Sequence, residues 1–162
     1  MNFYIKTIKL WFKHNDAAVE YEFHKNKVNV ITGDSSTGKS SLLSIIDYCL
    51  LSGESNIVED VINENITWYG LSFSLKDIDY VIIRKNPKDE GYKQIYFEQT
   101  DSFPLVFEPN SDRGQLIIKF NELFGSPSRT YNVIDRQITT TFRSFLPVNY
   151  LTEDAIATQN TY

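Results

Sequence analysis

"VNVITGDSSTGKSSLLSIIDYCLLSGES", residues 28–55, decides how the rest of the chain is read. Within it, Gly33-Asp34-Ser35-Ser36-Thr37-Gly38-Lys39-Ser40 fits the pattern G-x-x-x-x-G-K-[ST]. The β-branched stretch "KVNVITG" (27–33) predicts a strand leading into the loop. Beyond the loop the spacing predicts a helix over 38–51, with Leu42, Leu43, Ile45, Ile46, Cys49 and Leu50 on a broad apolar face. Strand, glycine loop and helix form the setting in which this pattern grips a phosphate. The plain alternative is a glycine turn that caps a helix, which does not require Lys-Ser at this spacing.

The residue types follow from the chemistry. Gly33 and Gly38 permit unusual dihedrals and close approach, so that the backbone N–H groups of Asp34, Ser35, Ser36 and Thr37 can turn inward around a phosphate. The helix starting near Gly38 presents unpaired N–H groups and a positive dipole end. Lys39 supplies a point charge for the β- and γ-phosphates of ATP. The Ser40 hydroxyl is the expected Mg²⁺ ligand, and Ser41 is within reach of the α-phosphate. The "LSGE" that follows (51–54) looks like a piece of a second nucleotide-binding signature. It reads instead as the end of the same helix, closed by Ser52, with Gly53 in the left-handed cap position.

Upstream, "FYIKTIKLWF" (3–12) predicts a strand, and "AVEYEFH" (18–24) alternates as a half-buried strand paired with it. Downstream, "ITWYGLSFSL" (66–75), "DYVIIRK" (79–85) and "YKQIYFEQ" (92–99) predict an antiparallel meander joined by turn-forming "KDID" and "NPKDEG". "SFPLVFEPNSDRG" (102–114) reads as an irregular loop, and "RGQLIIKFNELFG" (113–125) as a helix stopped by Gly125. "YNVIDRQITTTFRSFL" suits either strand or helix.

At 162 residues the chain has room for about one domain with one core. Its 14% aromatic content favours strands over a helical bundle. The net charge of −5 argues against nucleic-acid binding by the chain as a whole, so a DNA contact would need a local patch or a partner. Cys49 is the single cysteine, which excludes an intrachain disulfide and suits a reducing, cytoplasmic setting. No signal peptide and no membrane-length apolar run is read in the sequence.

The order of these features resembles the N-terminal half of the ABC-type ATPase heads of SMC proteins, DNA double-strand-break-repair ATPases and related bacterial defence ATPases. The residues that carry the likeness are a first strand ending in Phe12-Lys13-His14, a second strand, "ITGDSSTGKS", and a later "DYVIIRK" strand, over roughly residues 3–100. Ser35 and Ser36 stand where the wider family usually has Asn-Gly. The resemblance implies an α/β fold, a P-loop NTPase N-terminal lobe with an antiparallel β-meander, incomplete without a C-terminal lobe. It places Lys13 near the nucleotide and makes Trp11, Phe12 and Tyr21 candidates to touch the adenine. It matches Gln159, in "EDAIATQN", to a glutamine loop at the magnesium ion. Residues 126–162 then become a boundary to a coiled coil or partner segment. Expected partners are a head-to-tail second copy or a second ATPase half, with a DNA or effector contact and a role in DNA maintenance or anti-phage defence.

Hydrolysis needs an apolar strand ending in Asp-Glu, to hold Mg²⁺ and position water. "SIID" (44–47) lies inside the predicted helix, "NVID" (132–135) ends at Asp135 followed by Arg136, and "KDEG" (88–91) has no apolar strand before it. The chain is thus expected to bind Mg-ATP and to need another segment for turnover. Three other classes remain: a non-catalytic scaffold, a GTPase, and a small-molecule kinase. "NKVN" (26–29) lies on the wrong side of the loop for a base-reading motif. The arginines at 84, 113, 129, 136 and 143 are scattered rather than gathered in a lid.

Overall fold

The longest strands are built from the β-branched and aromatic runs, and they pair in a single antiparallel order. The computed structural model describes residues 2–14, 18–32, 39–55, 57, 64–133 and 136–144, with only the backbone of Ser40. The chain divides into two compact units, Met1–Leu116 and Ile117–Tyr162.

In the first unit the strands are β1 (Phe3–Phe12), β2 (Ala18–Glu22), β3 (Ile66–Leu75), β4 (Ile78–Lys85), β5 (Gln94–Glu98) and the two-residue β6 (Ser111–Asp112). They form one sheet in the order β2-β1-β3-β4-β5-β6, antiparallel throughout. The meander is therefore present as expected, and β1 joins its inner edge through β3. Lys76 and Asp77 link β3 to β4 with φ of 53° and 63°. Two left-handed residues in a two-residue loop match the twist of the strands they join.

Helix α1 (Lys39–Cys49) packs on β3 and β4. Alternation along β4 puts Tyr80, Ile82 and Arg84 on the face toward α1 and Val81, Ile83 and Lys85 on the other. On the α1 face an aromatic ladder crosses four strands. Phe3 and Phe73 lie 5.7 Å apart, Phe73 and Tyr80 5.5 Å, and Tyr80 and Phe97 5.6 Å with rings nearly parallel. On the opposite face, Trp11, Trp68, Phe103 and Phe107 close over Val81, Ile83 and Tyr96. The loop after β5 is irregular, as its prolines predict, and it anchors two of these rings.

Three expectations are corrected. Residues 28–32 form no strand, and Val28, Val30 and Ile31 stand 91%, 74% and 44% exposed. A strand needs a neighbour for its backbone groups, and among the described residues none pairs with this segment. Instead the Asn29 amide closes the turn before it, accepting from His24 N–H and donating to the His24 and Lys27 carbonyls. Strand β2 is not half-buried but exposed along its length. It is the edge of the sheet, and α1 lies over β3 and β4 rather than over it. Gly53 is not the left-handed cap of α1. Leu51 takes that conformation, with φ of 70°, while Ser52 N–H donates to Asp47 O and Leu51 N–H to Tyr48 O.

The helix α2 (Arg113–Leu123) begins with a reciprocal cap. The Asp112 carboxylate accepts from Gln115 N–H at 2.9 Å, and the Gln115 side chain accepts from Asp112 N–H at 3.3 Å. It ends at Gly125, left-handed at φ 64°, with Ser126 N–H donating to Asn121 O, so the predicted stop is where the sequence placed it. In the second unit, Phe120, Phe124 and Phe142 cluster with ring centres 5.1–6.0 Å apart. Phe142 N–H donates to the buried Asn121 side chain. Within the ambiguous stretch after α2, residues 131–133 and 136–140 are β-structure, in the antiparallel pair β7 (Arg129–Val133) and β8 (Arg136–Thr140), and 142–144 form a 3-10 turn.

Gly70 carries a testable constraint. A Cβ there would lie 2.7 Å from both the Phe103 and the Trp11 ring. Gly70→Ala is expected to cost about 1–3 kcal/mol, the usual range for an overfilled core. Urea unfolding followed by tryptophan fluorescence measures it, and an unchanged midpoint would mean that the aromatic layer yields freely.

Candidate functional site

The expected phosphate loop, Gly33, Asp34, Ser35, Ser36, Thr37 and Gly38, lies outside the described residues, as do Asp135 and Gln159. What is described is the helix that follows. α1 begins at Lys39, immediately after Gly38, and its first turn holds no acidic residue. A helix start leaves N–H groups without intrahelical partners, and this first turn adds no acidic side chain that would repel an anion. Lys39 is half-buried, and Ser41 is 2% exposed, so its hydroxyl lies in the interior.

Lys13 is held rather than loose. Its ammonium pairs with Asp89 in the β4–β5 connection at 3.0 Å, and its N–H donates to Asn65 O. Trp11 belongs to the aromatic layer, 5.6 Å from Phe103 and 5.7 Å from Phe107. Phe12 is half-buried, and Tyr21 stands 40% exposed on the edge strand. Among the described residues no group of three or more His, Cys, Asp or Glu gathers to hold a metal ion.

The far end of α1 is built from residues that the sequence left scattered. Arg84 is 3% exposed, and its Nη1 donates to the Tyr48 carbonyl and, at 3.1 Å, to the Ser52 carbonyl. Its guanidinium lies 3.8 Å over the Tyr48 ring. The Tyr48 hydroxyl donates to Lys85 O at 2.8 Å, so strand and helix grip each other in both directions. Arg113 Nε adds a bond to Leu51 O at 3.0 Å. Two cations thus satisfy carbonyls at the negative end of the helix. The signal for Arg84 was its place in the alternation: it shares a face with Tyr80 and Ile82. Arg113 carried no such signal, because its contact spans 62 residues of sequence.

A family model described as an AAA domain (AAA_23) matches residues 5–157. The chain belongs to the AAA domain family. No curated protein matches it in sequence. For this AAA domain the family points to nucleotide binding of the ATPase type, and the ABC/SMC-type resemblance holds at the level of the superfamily. Its mixed architecture of helices and an antiparallel sheet fits that membership. No helix among the described residues is long and apolar enough to cross a membrane.

Two predictions follow from the clamp on α1. Arg84→Met leaves buried carbonyls without their charged donor, at roughly 1.5–3 kcal/mol for each charge-assisted bond lost. Arg84→Lys keeps the charge but loses the planar fork. Denaturant midpoints should rank wild type above Lys above Met, and a Met variant as stable as wild type would contradict the clamp. The second concerns pH. Burial pushes the Cys49 thiol from its ordinary 9.0 to about 12 and the Tyr48 hydroxyl from 10.0 to about 12, against the opposing pull of Arg84. Above the ordinary values the unfolded chain sheds these protons while the folded chain keeps them. These groups therefore take stability away as pH rises from about 9 toward about 12, and cost nothing below that window. Unfolding midpoints measured from about pH 8 to about pH 11 should fall, with a shallower slope in Cys49→Ala.

Proposed function

We propose that this AAA domain binds Mg-ATP through Gly33–Ser41 as one half of an ABC/SMC-like ATPase. The observation that carries the reading is the start of α1 at Lys39, directly after the glycine loop, with an acid-free first turn. That arrangement suits a triphosphate, with Lys39 as the cation for the β- and γ-phosphates and Ser40 as the residue whose hydroxyl would serve a magnesium ion. Bound Mg²⁺ would neutralise charge developing on the phosphates. Lys13 assists from the end of β1 and Gln159 from the C-terminal segment.

Hydrolysis is assigned to the pair rather than to this chain alone. A complementary half, in the same polypeptide or another, supplies the Asp-Glu strand and the signature helix. The partner is a head-to-tail second copy or a second ATPase half. The exposed, strand-prone Val28, Val30 and Ile31 support this reading, because their backbone and side chains suit an added strand. The biological setting proposed, DNA maintenance or anti-phage defence, rests on the resemblance.

Lys39→Ala should weaken binding of a fluorescent ATP analogue by roughly tenfold or more, the worth of one charge-assisted contact. Equal binding by both forms would mean that the loop is not the site, and no binding by either would favour the non-catalytic scaffold. Turnover is the separate test of the half-site reading: the isolated chain should hydrolyse ATP negligibly, and rapid turnover by it would overturn that part alone.

A further inference from the structure

A second cationic cavity lies at the opposite end of α1 from the glycine loop. It has a volume of about 350 Å³ and is walled by Arg84, Lys93 and Arg113 together with Tyr92 and Asp112. That volume is at the small end of the range for ligand clefts. The three cations come from different parts of the first unit: Arg84 from β4, Lys93 from the turn before β5, and Arg113 from the start of α2. Arg84 is 3% exposed, so its charge is fixed in place rather than swinging in solvent. The Arg113 guanidinium is fixed too. Its Nε is tied to Leu51 O, and it lies against Gly53, where an added Cβ would meet Nη2 at 3.2 Å.

The helix end explains part of this arrangement but not all. The carbonyls of Tyr48, Leu51 and Ser52 account for bonds from the two arginines. The Lys93 ammonium lies 6.0 Å from the centre of the Tyr92 ring, and among the described residues neither Lys93 nor Arg113 forms an ion pair. Among the described residues that line it, Asp112 is the one acidic wall, and its Oδ1 already accepts from Gln115 N–H. Over the described lining, three cations against one carboxylate leave a formal surplus of +2.

We propose that this cavity binds a dianionic phosphate group, free or as a small phosphomonoester, at a site separate from the phosphate loop. A phosphate near neutral pH carries close to two negative charges, which matches the surplus, and its oxygens accept the paired N–H donors of guanidinium. The Tyr92 ring, 39% exposed on the wall, offers a face to a planar group borne by an ester.

The full chain carrying Lys39→Ala removes the main charge of the other site and isolates this one. Amide NMR shifts are followed as inorganic phosphate is added at constant ionic strength. Saturable shifts at Gly53, Lys93 and Gly114 are expected. Adding Lys93→Ala, an exposed position, should weaken that affinity roughly tenfold without altering the rest of the spectrum. Absence of saturable shifts at those amides, or an affinity unchanged by Lys93→Ala, overturns the inference. Neither result bears on ATP binding at the loop, which is read with Lys39 intact. AMP is the second probe. Tighter binding than phosphate assigns an ester held against Tyr92, and equal affinity assigns the bare anion.

Discussion

A buried guanidinium sets the geometry of the first unit. Arg84 stands at the end of β4, 3% exposed, where a lone charge is costly to keep. The cost is offset by the end of α1: two backbone carbonyls accept from it, and the Tyr48 ring lies beneath it. Those carbonyls are available because the helix finishes with Leu51 in the left-handed region, turning Ser52 back toward the arginine. The strain of a branched side chain there is of the order of 1–2 kcal/mol. Leu51 is itself fully buried, and its carbonyl is taken up by Arg113, so burial and bonding hold the unusual conformation in place.

This fixes α1 from the end that does not meet the glycine loop. Tyr48 and Cys49 bring that end down on the sheet. The Tyr48 hydroxyl reaches Lys85 O, the Cys49 thiol faces Tyr69 O at 3.7 Å, and the Tyr48 and Tyr69 rings meet edge to face. The other face of the sheet is filled independently, by the aromatic layer over Gly70. With both faces of β3 and β4 covered, the helix axis is held against a rigid support. The described half of that support comes from the sheet and from the residues that close the helix.

What was legible in the sequence followed from local rules. β1, β3 and β4 declared themselves through β-branched and aromatic runs, and Gly125 through the need for a residue without Cβ after a helix. The segment 27–33 misled because its apolar character reports affinity for a strand neighbour, and that neighbour is not among the described residues. β2 misled for a related reason: alternation sets two faces apart but does not say which face has a helix over it. Gly53 suits a cap by its type, because glycine adopts positive φ at no cost, whereas tertiary bonds put Leu51 there instead. Its own glycine character serves Arg113, whose guanidinium lies against it. The expected phosphate loop lies outside the described residues, which resume at Lys39 in α1. Arg84 and Arg113 looked scattered because their meeting place is made by the fold, 36 and 62 residues from the carbonyls they serve.

The charge at the two ends of α1 can be compared on one scale. A helix start carries roughly +0.5 of an elementary charge and its finish roughly −0.5. The start therefore favours an anion with Lys39 as reinforcement. The finish should repel one, and a single cation would already reverse its sign. Here two arginines and Lys93 line the cavity beside it, with only Asp112 opposed among the described residues. A clamp needs enough charge to satisfy carbonyls; it does not need a surplus facing an open cavity. The excess is costly, since like charges held near one another raise the energy of the fold. That cost is recovered when an anion arrives, which is the physical reason to place a phosphate there.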